Sequence, residues 1–210
     1  SDDPNITGSN AITLEISSAT LAEDANYRVI VSGGCGPDQT SSAASLTVNP
    51  ATAITTQPLD QSVCEGTNAT FRVSASGTNL NYQWQSNTSG SWANLSDGGD
   101  IIGSDSTILI ISNTEEADEA DYRVLVNGDC GNVTSNTVSL TINPNTQITT
   151  PPSAQTVCEG TDAIFNVVAE GTNLSYQWQS DAGGSWTDLS DGGNISGSAT
   201  SQLTIGNATN

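Results

Sequence analysis

The amino-acid sequence predicts an all-β protein built of tandem β-sandwich domains. Three observations support this prediction. Apolar and polar residues alternate over short stretches, as they do in half-buried strands. Turn signals rich in Gly, Asn and Asp separate these stretches. The same pattern then recurs about 95 residues later, which is close to the length of one sandwich domain.

The repeat is visible as two pairs of matching segments. SVCEGTNATFRVSASGTNLNYQWQS begins at Ser62, and TVCEGTDAIFNVVAEGTNLSYQWQS begins 94 residues later at Thr156. ANYRVIVSGGCG contains Tyr27, and ADYRVLVNGDCG contains Tyr122, 95 residues further on. Because two offset halves recur, the chain is predicted to hold one whole repeat and parts of two others.

The predicted domains are the C-terminal half of one repeat (1–50), a complete repeat (51–145) and the N-terminal part of a third (146–210). Residues 1–50 match 96–145, and residues 146–210 match about 52–116. Two arrangements explain this pattern. The chain is expected to be a stretch of a longer repeat array, or a subunit whose half-repeats are completed by neighbouring copies.

About seven short strands are predicted in the complete repeat. Ile54–Val63 forms a first edge segment, where Pro58 is tolerated because an edge strand can spare one N–H group. The strand Ile108–Ile111 is apolar on both faces. The other strands are predicted at Ala69–Ala75, Leu80–Trp84, Tyr122–Val126 and Val138–Ile142.

The composition excludes several classes of function. The chain has 23 acidic and 3 basic residues, a net charge of −20 and no His. It therefore has no cationic face for nucleic acid, and an anionic membrane surface would repel it. Catalysis by a His base or at a His-ligated metal is excluded. The even number of cysteines, 4, predicts disulfides in an oxidising, extracellular compartment.

Three motifs of the complete repeat resemble an immunoglobulin-like (Ig-like) domain. Trp84 stands at the place of the core tryptophan of the third strand. The run Asp118-Glu119-Ala120-Asp121-Tyr122 resembles the tyrosine corner, and Glu65-Gly66 with the following ATFRV resembles the turn and second strand. The resemblance covers the whole chain and implies tandem Ig-like β-sandwich domains.

The predicted core departs from the antibody pattern in one respect. Val73 and Val124 stand where the resemblance would place the disulfide between the two sheets. We therefore predict a core packed by apolar side chains without a bridge, each contributing about 1.5–3 kcal/mol. The core residues predicted across the three parts are Val73, Trp84, Tyr122, Val124, Trp178 and Tyr27.

Further motifs resemble the tandem Ig-like repeats of very large secreted bacterial cell-surface proteins, which are common in the Bacteroidota. These motifs are V-C-x-G, L-x-Y-Q-W-Q, D-x-x-x-Y-x-V-x-V-x-G-x-C-G and L-T-[VI]-N-P. The resemblance implies a non-enzymatic structural protein, an extracellular filament or adhesin stalk, with neighbouring repeats or copies as head-to-tail partners and no cofactor. The alternatives are a glycan- or protein-binding module and a passive spacer attached to a secreted enzyme.

The Ig-like arrangement implied by the resemblance places Cys64 at the lower end of the domain and Cys130 at the upper end. About 20 Å separates these positions at about 3.3 Å per strand residue, whereas a disulfide needs Cα atoms within roughly 7 Å. We favour a bond from the Cys64-type cysteine of one repeat to the Cys130-type cysteine of the next. A bond within one domain and free thiols are the alternatives.

If repeats are joined in this way, the partners of Cys35, Cys64, Cys130 and Cys158 all lie outside this chain. In a row of identical copies, Cys64 would join Cys35 of the next copy. Cys158 would likewise join Cys130 of the next copy. The four cysteines are thus predicted as sites of disulfides between repeats or subunits.

The acidic loops allow two interpretations. A Ca²⁺ site is one, because hard cations take oxygen ligands, although the spacing matches no EF-hand loop. We favour a solvated loop that keeps an acidic protein soluble, and predict no metal. The residues concerned are Asp97, Asp100 and Asp105, which recur in part as Asp2, Asp3 and Asp191.

Two surface features complete the predictions. Trp92 and Trp186 follow the third strand by eight residues and form either a sugar platform or, as we favour, a cover over the sandwich edge. Asp105-Ser106-Thr107 resembles the D-[ST]-x O-glycosylation signal of the Bacteroidota, and several N-x-S/T sequons occur. Glycosylation is predicted at Ser106, Asn68 and Asn132.

Overall fold

The computed structural model describes residues 4–88 and 90–208, and these residues form an all-β structure. They contain 24 short strands and two single turns of 3₁₀-helix, Leu21–Glu23 and Glu116–Asp118. Each 3₁₀ turn precedes the strand that carries the tyrosine of its repeat. The N-terminus of the first turn has a capping box, in which the Thr20 hydroxyl accepts from the Ala22 amide and the Glu23 carboxylate accepts from the Thr20 amide.

Residues 1–50 contribute three antiparallel strand pairs: β1 with β2, β3 with β6, and β4 with β5. The Tyr27 hydroxyl donates to the backbone carbonyl of Glu23 at 2.8 Å, as in a tyrosine corner. The strands are β1 (Ile6–Thr7), β2 (Glu15–Ile16), β3 (Ala25–Tyr27), β4 (Ile30–Val31), β5 (Gln39–Thr40) and β6 (Ala44–Leu46).

Residues 51–145 contribute eleven strands, several of them very short. The first part of the unit is β7 (Ala53–Thr56), β8 (Gln61–Cys64), β9 (Ala69–Arg72), β10 (Ser74–Ser76), β11 (Asn81–Asn87) and β12 (Ala93–Asn94). The second part is β13 (Ile101–Ile102), β14 (Ile108–Ile111), β15 (Asp121–Gly128), β16 (Gly131–Thr134) and β17 (Val138–Asn143).

The strands of this repeat form two main sheets. The larger sheet has the order β12-β11-β15-β17-β8, with β16 paired to β15, and the smaller has the order β13-β14-β9. β11 and β15 are antiparallel with Trp84 opposite Val124, and β17 and β8 are parallel. This is the two-layer arrangement of a β-sandwich.

Residues 146–210 contribute seven strands in smaller groups. β18 pairs with β20, β21 with β22, and β24 with both β19 and β23. The strands are β18 (Gln147–Thr150), β19 (Ala163–Asn166), β20 (Val168–Glu170), β21 (Gln179–Ser180), β22 (Thr187–Asp188), β23 (Ile195–Ser196) and β24 (Gln202–Ile205).

The chain divides into two compact units, each with its own buried apolar residues. The first unit comprises Ser1–Asp60, Thr70–Ile110 and Asp121–Ser139, with a core of Phe71, Val73, Trp84, Leu109, Tyr122, Val124, Val126 and Val138. The second comprises Gln61–Ala69, Ile111–Ala120 and Leu140–Asn210, with Ala69, Ile111, Leu140, Ile142, Ala163 and Leu203 buried.

The first predicted edge segment is wrong in detail. Ile54–Val63 is not one segment but two strands in different sheets, β7 paired with β10 and β8 paired with β17. Pro58 lies between them and is buried. Because proline has no N–H to donate to a β-ladder, the first strand ends before Pro58 and the next strand pairs in a different sheet.

Candidate functional site at the ends of the repeat

Cys64 lies at the end of β8, next to the segment that leads out of the complete repeat. In the parallel pair of β8 and β17 it stands opposite Asn143, and the next amide, of Glu65, donates to the Asn143 carbonyl at 2.9 Å. The carbonyl of Cys64 accepts from the Thr67 hydroxyl at 2.6 Å. The backbone of Cys64 is therefore fixed while its side chain is exposed.

A buried threonine strengthens this end of the repeat. Thr114 is fully buried, and its hydroxyl donates to the Thr67 carbonyl at 3.0 Å. Its own backbone carbonyl accepts from the Gly66 amide at 2.8 Å. The turn that follows Cys64 is thus anchored by several hydrogen bonds, none of which involves the cysteine thiol.

Cys130 lies in the hairpin between β15 and β16, next to the segment that leads into the complete repeat. Its thiol donates to the backbone carbonyl of Asn49 at 3.6 Å. Its carbonyl accepts from the Thr52 amide at 3.4 Å, and the neighbouring Asp129 amide donates to Thr78 at 3.0 Å. Cys130 is exposed and sits against residues from the preceding part of the chain.

The other two cysteines occupy the corresponding places in the partial repeats. Cys35 lies between β4 and β5, as Cys130 lies between β15 and β16. The backbone carbonyl of Cys158 accepts a hydrogen bond from the Thr161 hydroxyl at 2.7 Å, as the carbonyl of Cys64 does from Thr67. All four cysteines are free and exposed in this structure. Their pairing with cysteines of other repeats therefore stays a prediction.

The predicted core residues of the complete repeat are buried. Val73 is 4% exposed, Tyr122 is 3% exposed, and Trp84 and Val124 are fully buried. The indole N–H of Trp84 donates to the Ser106 carbonyl at 2.8 Å. The predicted counterparts in the partial repeats, Trp178 and Tyr27, are only half-buried.

Phe71 is a central core residue that the predicted core did not include. Its ring stacks on Tyr122 at a centroid distance of 5.1 Å and tilts against Trp84 at 6.1 Å. Such aromatic pairs add about 0.5–1.5 kcal/mol beyond area burial. The alternation in ATFRV is the signal that could have identified it, because it places Phe71 on the same face as Val73.

The two loop tryptophans have different environments. Trp92 is half-buried, with the Arg123 guanidinium 4.1 Å from its ring centroid. The Nε of Arg123 also donates to the Gln85 side chain at 2.8 Å. Trp186, the corresponding residue of the third repeat, is 69% exposed. Because Arg123 and Trp92 are far apart in sequence, no local sequence pattern predicts this cation–π contact.

The acidic loops use their carboxylates to bind their own backbone. Asp97 accepts from the Ser104 amide at 2.7 Å, and Asp191 accepts from the Ser198 amide at 2.8 Å. Hydrogen bonds from the Ser104 backbone and side chain lower the pKa of Asp97. Hydrogen bonds from the Ser198 side chain and backbone do the same for the pKa of Asp191.

Within residues 4–88 and 90–208, no group of three or more His, Cys, Asp or Glu side chains is placed to hold a metal ion. Asp2 and Asp3, named with these loops, lie outside the described residues. Among the described residues, no helix has the length and apolarity needed to cross a bilayer.

The predicted glycosylation sites differ in accessibility. Asn68 and Asn132 are exposed, although the Asn68 side chain accepts from the Asn113 amide at 3.3 Å. Ser106 is half-buried, and its backbone carbonyl accepts the hydrogen bond from the Trp84 indole. Modification at any of the three stays a prediction.

Comparison with protein families and curated proteins gives three matches. A family model described as a domain of unknown function (DUF8696) matches residues 53–144. Endoglucanase C of Cellulomonas fimi is 32% identical over 146 residues, covering 68% of this chain and 13% of that protein. Muscle M-line assembly protein unc-89 of Caenorhabditis elegans is 30% identical over 180 residues, covering 81% of this chain and 2% of that protein. The chain thus spans a small fraction of both relatives.

Solved structures with a similar fold are chains of Ig domains. The I-band fragment I67-I69 from titin matches with a TM-score of 0.61 at 16% identity, covering 93% of this chain and 68% of that chain. Sidekick-1 immunoglobulin domains 1–4 match with a TM-score of 0.56 at 21% identity, covering 98% of this chain and 56% of that chain. Drosophila OTK extracellular domains 3–5 match with a TM-score of 0.53 at 19% identity, covering 93% of this chain and 65% of that chain. The predicted fold class is confirmed: the chain consists of tandem Ig-like β-sandwich domains.

Proposed function

We propose that this chain is a non-enzymatic structural protein of tandem Ig-like repeats, forming an extracellular filament or adhesin stalk at a bacterial cell surface. Successive repeats are joined by disulfides between a Cys64-type and a Cys130-type cysteine. One observation carries the proposal. Cys64 lies beside Asn143, which ends its own repeat, and Cys130 lies beside Asn49, the corresponding residue that ends the preceding repeat.

The asparagine in question precedes the proline that ends each repeat. Asn143-Pro144 ends the complete repeat and Asn49-Pro50 ends the preceding one. Cys64 stands opposite Asn143 in a parallel ladder, in which neighbouring strands are about 4.8 Å apart. Cys130 of the complete repeat contacts Asn49 at 3.6 Å.

The Cys64–Asn143 arrangement, applied to the preceding repeat, indicates where its Cys64-type cysteine would lie. The Cys64-type cysteine of that repeat would then flank Asn49, as Cys130 already does. We propose that two thiols flanking one residue in this way approach to the roughly 7 Å between Cα atoms that a disulfide needs. The two thiols form one S–S bond, and two protons and two electrons pass to an extracellular oxidant such as a disulfide oxidoreductase or molecular oxygen.

The consequence of such bonds is a stiff array. Linkers between domains normally allow relative motion, because few contacts cross them. A covalent bond at each junction would hold neighbouring repeats at a fixed angle and transmit tension past the linker. The net charge of −20 would keep a filament of this kind soluble and limit side-by-side association.

A passive spacer attached to an enzyme is the second candidate. The similarity to part of Endoglucanase C favours it, because only 13% of that protein is matched. The repeats would then separate other domains, and their own surfaces would carry no activity. The disulfide-linked array and the spacer differ in stiffness.

Electron microscopy of the native material, with and without reductant, tests the proposal. We expect a continuous fibre with a regular axial repeat without reductant, and a more flexible one after reduction. The variants Cys64→Ser and Cys130→Ser should be flexible under both conditions, with Ser96→Ala, at an exposed residue outside β8 and outside the β15–β16 hairpin, as the control. Flexible beads on a string without reductant would contradict the filament and support the spacer.

A further inference from the structure

The smaller sheet of the complete repeat is apolar on its outer face as well as on its core face. Its middle strand, β14, turns Leu109 and Ile111 into the core, where both are buried. Successive side chains of a strand lie on opposite faces, so the alternate residues point outward. Three of the outward residues are isoleucines: Ile102 is 54% exposed, and Ile108 and Ile110 are half-buried.

The corresponding outward positions of the other two repeats are polar. At the repeat offsets of 94 and 95 residues, they hold Ser196, Gln202 and Thr204 in one repeat and Thr7, Thr13 and Glu15 in the other. The strands β23 and β24 form with these polar residues and pair in the same way. The three isoleucines are therefore not needed to build the sheet, and an apolar patch on one repeat alone points to a contact with another molecule.

A cation and a carboxylate lie at diagonally opposite corners of this outer face. β14 lies between β13 and β9. Arg72, exposed at the end of β9, lies beside the start of β14, because the next amide, of Val73, donates to the Thr107 carbonyl at 3.0 Å. Asp100 is exposed and directly precedes β13. If β13 runs antiparallel to β14, as β23 does to β24, Asp100 lies near the other end of β14.

This diagonal arrangement makes the face complementary to itself. When two copies meet face to face about a two-fold axis along the other diagonal, Arg72 of each copy lies opposite Asp100 of the other. The isoleucines then meet in the centre of the contact, and the strands of the two sheets cross at a large angle, as in orthogonal sheet packing. Two-fold contacts of this kind are the commonest among homo-oligomers.

The charge of the chain favours a second copy at this face over a basic partner. With 23 acidic and 3 basic residues, two copies repel each other over most of their surfaces. Arg72 is the exposed cation of the complete repeat, since Arg123 is half-buried over Trp92. Repulsion between copies is therefore lowest where Arg72 lies, whereas a basic partner would be attracted to the other, carboxylate-bearing surfaces.

We propose that the outer face of the smaller sheet binds the same face of a second copy of this chain. Its residues are Ile102, Ile108, Ile110, Arg72 and Asp100. So few residues are well below the roughly 20–30 per side of a stable interface, and two free chains therefore associate weakly.

The contact deepens the proposed filament by naming the surface through which filaments lie side by side. Many weak contacts act together when each filament carries one face per copy, so side-by-side association becomes firm. This consequence rests on the proposed function, whereas the pairing of two chains needs neither filament nor disulfide. The two proposals therefore fail separately in reducing buffer.

Sedimentation velocity of the 210-residue chain in reducing buffer, over a range of concentrations, tests the face. We expect weak dimers that become more abundant with added salt, because salt screens the repulsion between acidic copies. The combined variant Ile102→Ser, Ile108→Gln and Ile110→Thr should weaken dimerisation at least about tenfold, since it removes the apolar contact.

The combined variant should fold normally, because the third repeat forms the same strands with these residues, and circular dichroism checks this. The matched control is Ile12→Ser, which removes a fully exposed isoleucine outside the face and should leave dimerisation unchanged. A natural chain that stays monomeric at all concentrations, or a combined variant that dimerises as well as the natural chain, would overturn the proposal.

A charge exchange tests the pairing of Arg72 with Asp100. Arg72→Glu alone brings two carboxylates together at each corner, and Asp100→Arg alone brings two guanidinium groups together, so each variant should dimerise more weakly than the natural chain. An equal mixture of the two variants should regain dimers, because every corner then holds one cation and one carboxylate. A mixture that associates no better than either variant alone would refute this two-fold arrangement.

Discussion

The complete repeat and the third repeat carry nearly the same residues, yet they bury them differently. Trp84 is fully buried and Trp178 half-buried, and Trp92 lies beneath an arginine while Trp186 is 69% exposed. The backbone around them is alike, because the acidic loops and the Phe–Trp pairs are formed in both. The acidic loops and the aromatic pairs therefore have the same local structure in both repeats.

The two aromatic pairs differ in the strands that pack beside them within the described residues. In the complete repeat, β15 and β17 supply Tyr122, Val124, Val126 and Val138 to the core. Those strands are distant in sequence from the tryptophan they cover. The comparison shows that β15 and β17 close the core of the complete repeat around Trp84.

The largest expected effect separates the two tryptophans. Trp84→Ala should lower the free energy of unfolding by about 3–5 kcal/mol, because it empties a fully buried site. Trp178→Ala should cost clearly less, since the side chain is already partly exposed. Native-state hydrogen exchange assigns each loss to its region. Equal losses of the free energy of unfolding for Trp84→Ala and Trp178→Ala would contradict the difference in burial between the two repeats.

A turn shared by both repeats should respond equally in both. Gly103 and Gly197 have φ values of +83° and +80°, and an added Cβ would meet the backbone carbonyl oxygen of Ile108 or of Gln202. Gly103→Ala and Gly197→Ala should each cost at least about 1–2 kcal/mol. Gly183→Ala, which has open space, is the control. Urea unfolding of each variant measures the effect, and a cost in only one repeat would show that the turns differ.

The contact between Arg123 and Trp92 should give a smaller effect. Arg123→Met keeps an apolar stem over the ring and removes the cation, which should cost about 0.5–2 kcal/mol. Arg28→Met should change the free energy of unfolding by much less, because Arg28 is exposed. Urea unfolding followed by tryptophan fluorescence compares the two. A similar cost for both would argue that Arg28 already has a partner within its own chain.

The smallest expected effect is on pH dependence. Hydrogen bonds from Ser104 lower the pKa of Asp97 in the folded chain, so its ionised form stabilises the fold above the ordinary aspartate pKa. That contribution is lost as pH falls through the lowered pKa. The difference in Tm between the natural chain and Asp97→Asn should therefore shrink with acidification, with Asp191→Asn behaving alike. A difference that grows in acid would contradict the assignment.

Much of the fold could be predicted from the sequence, because the signals are local or repeated. Alternation located the strands around Phe71, Trp84 and Val124, and the offset repeat identified Trp178 as the counterpart of Trp84. The burial of Phe71 had a local signal in the alternation of ATFRV, whereas the other features that were missed depend on distant residues. The Phe71–Tyr122 stack joins residues far apart in sequence, and the change of sheet at Pro58 depends on which strand is free to pair with β8.

The candidate site, too, could be predicted from the sequence only in part. Sequence placed Cys64 beside a turn and Cys130 in a hairpin, and both placements agree with the strand bounds. It did not show that the two kinds of cysteine share an asparagine neighbour. That relation needs the parallel register of β8 on β17 and the contact of Cys130 with Asn49. Neither has a local sequence signal.

Mapping of the disulfides in oxidised, assembled material tests the account most directly. Proteolysis without reductant, followed by mass spectrometry, identifies which cysteine peptides are joined. The account predicts Cys64 joined to Cys35 and Cys158 joined to Cys130, with each bond linking different copies in a mixture of light and heavy isotope-labelled chains. Cys64 joined to Cys130 of the same chain would contradict it.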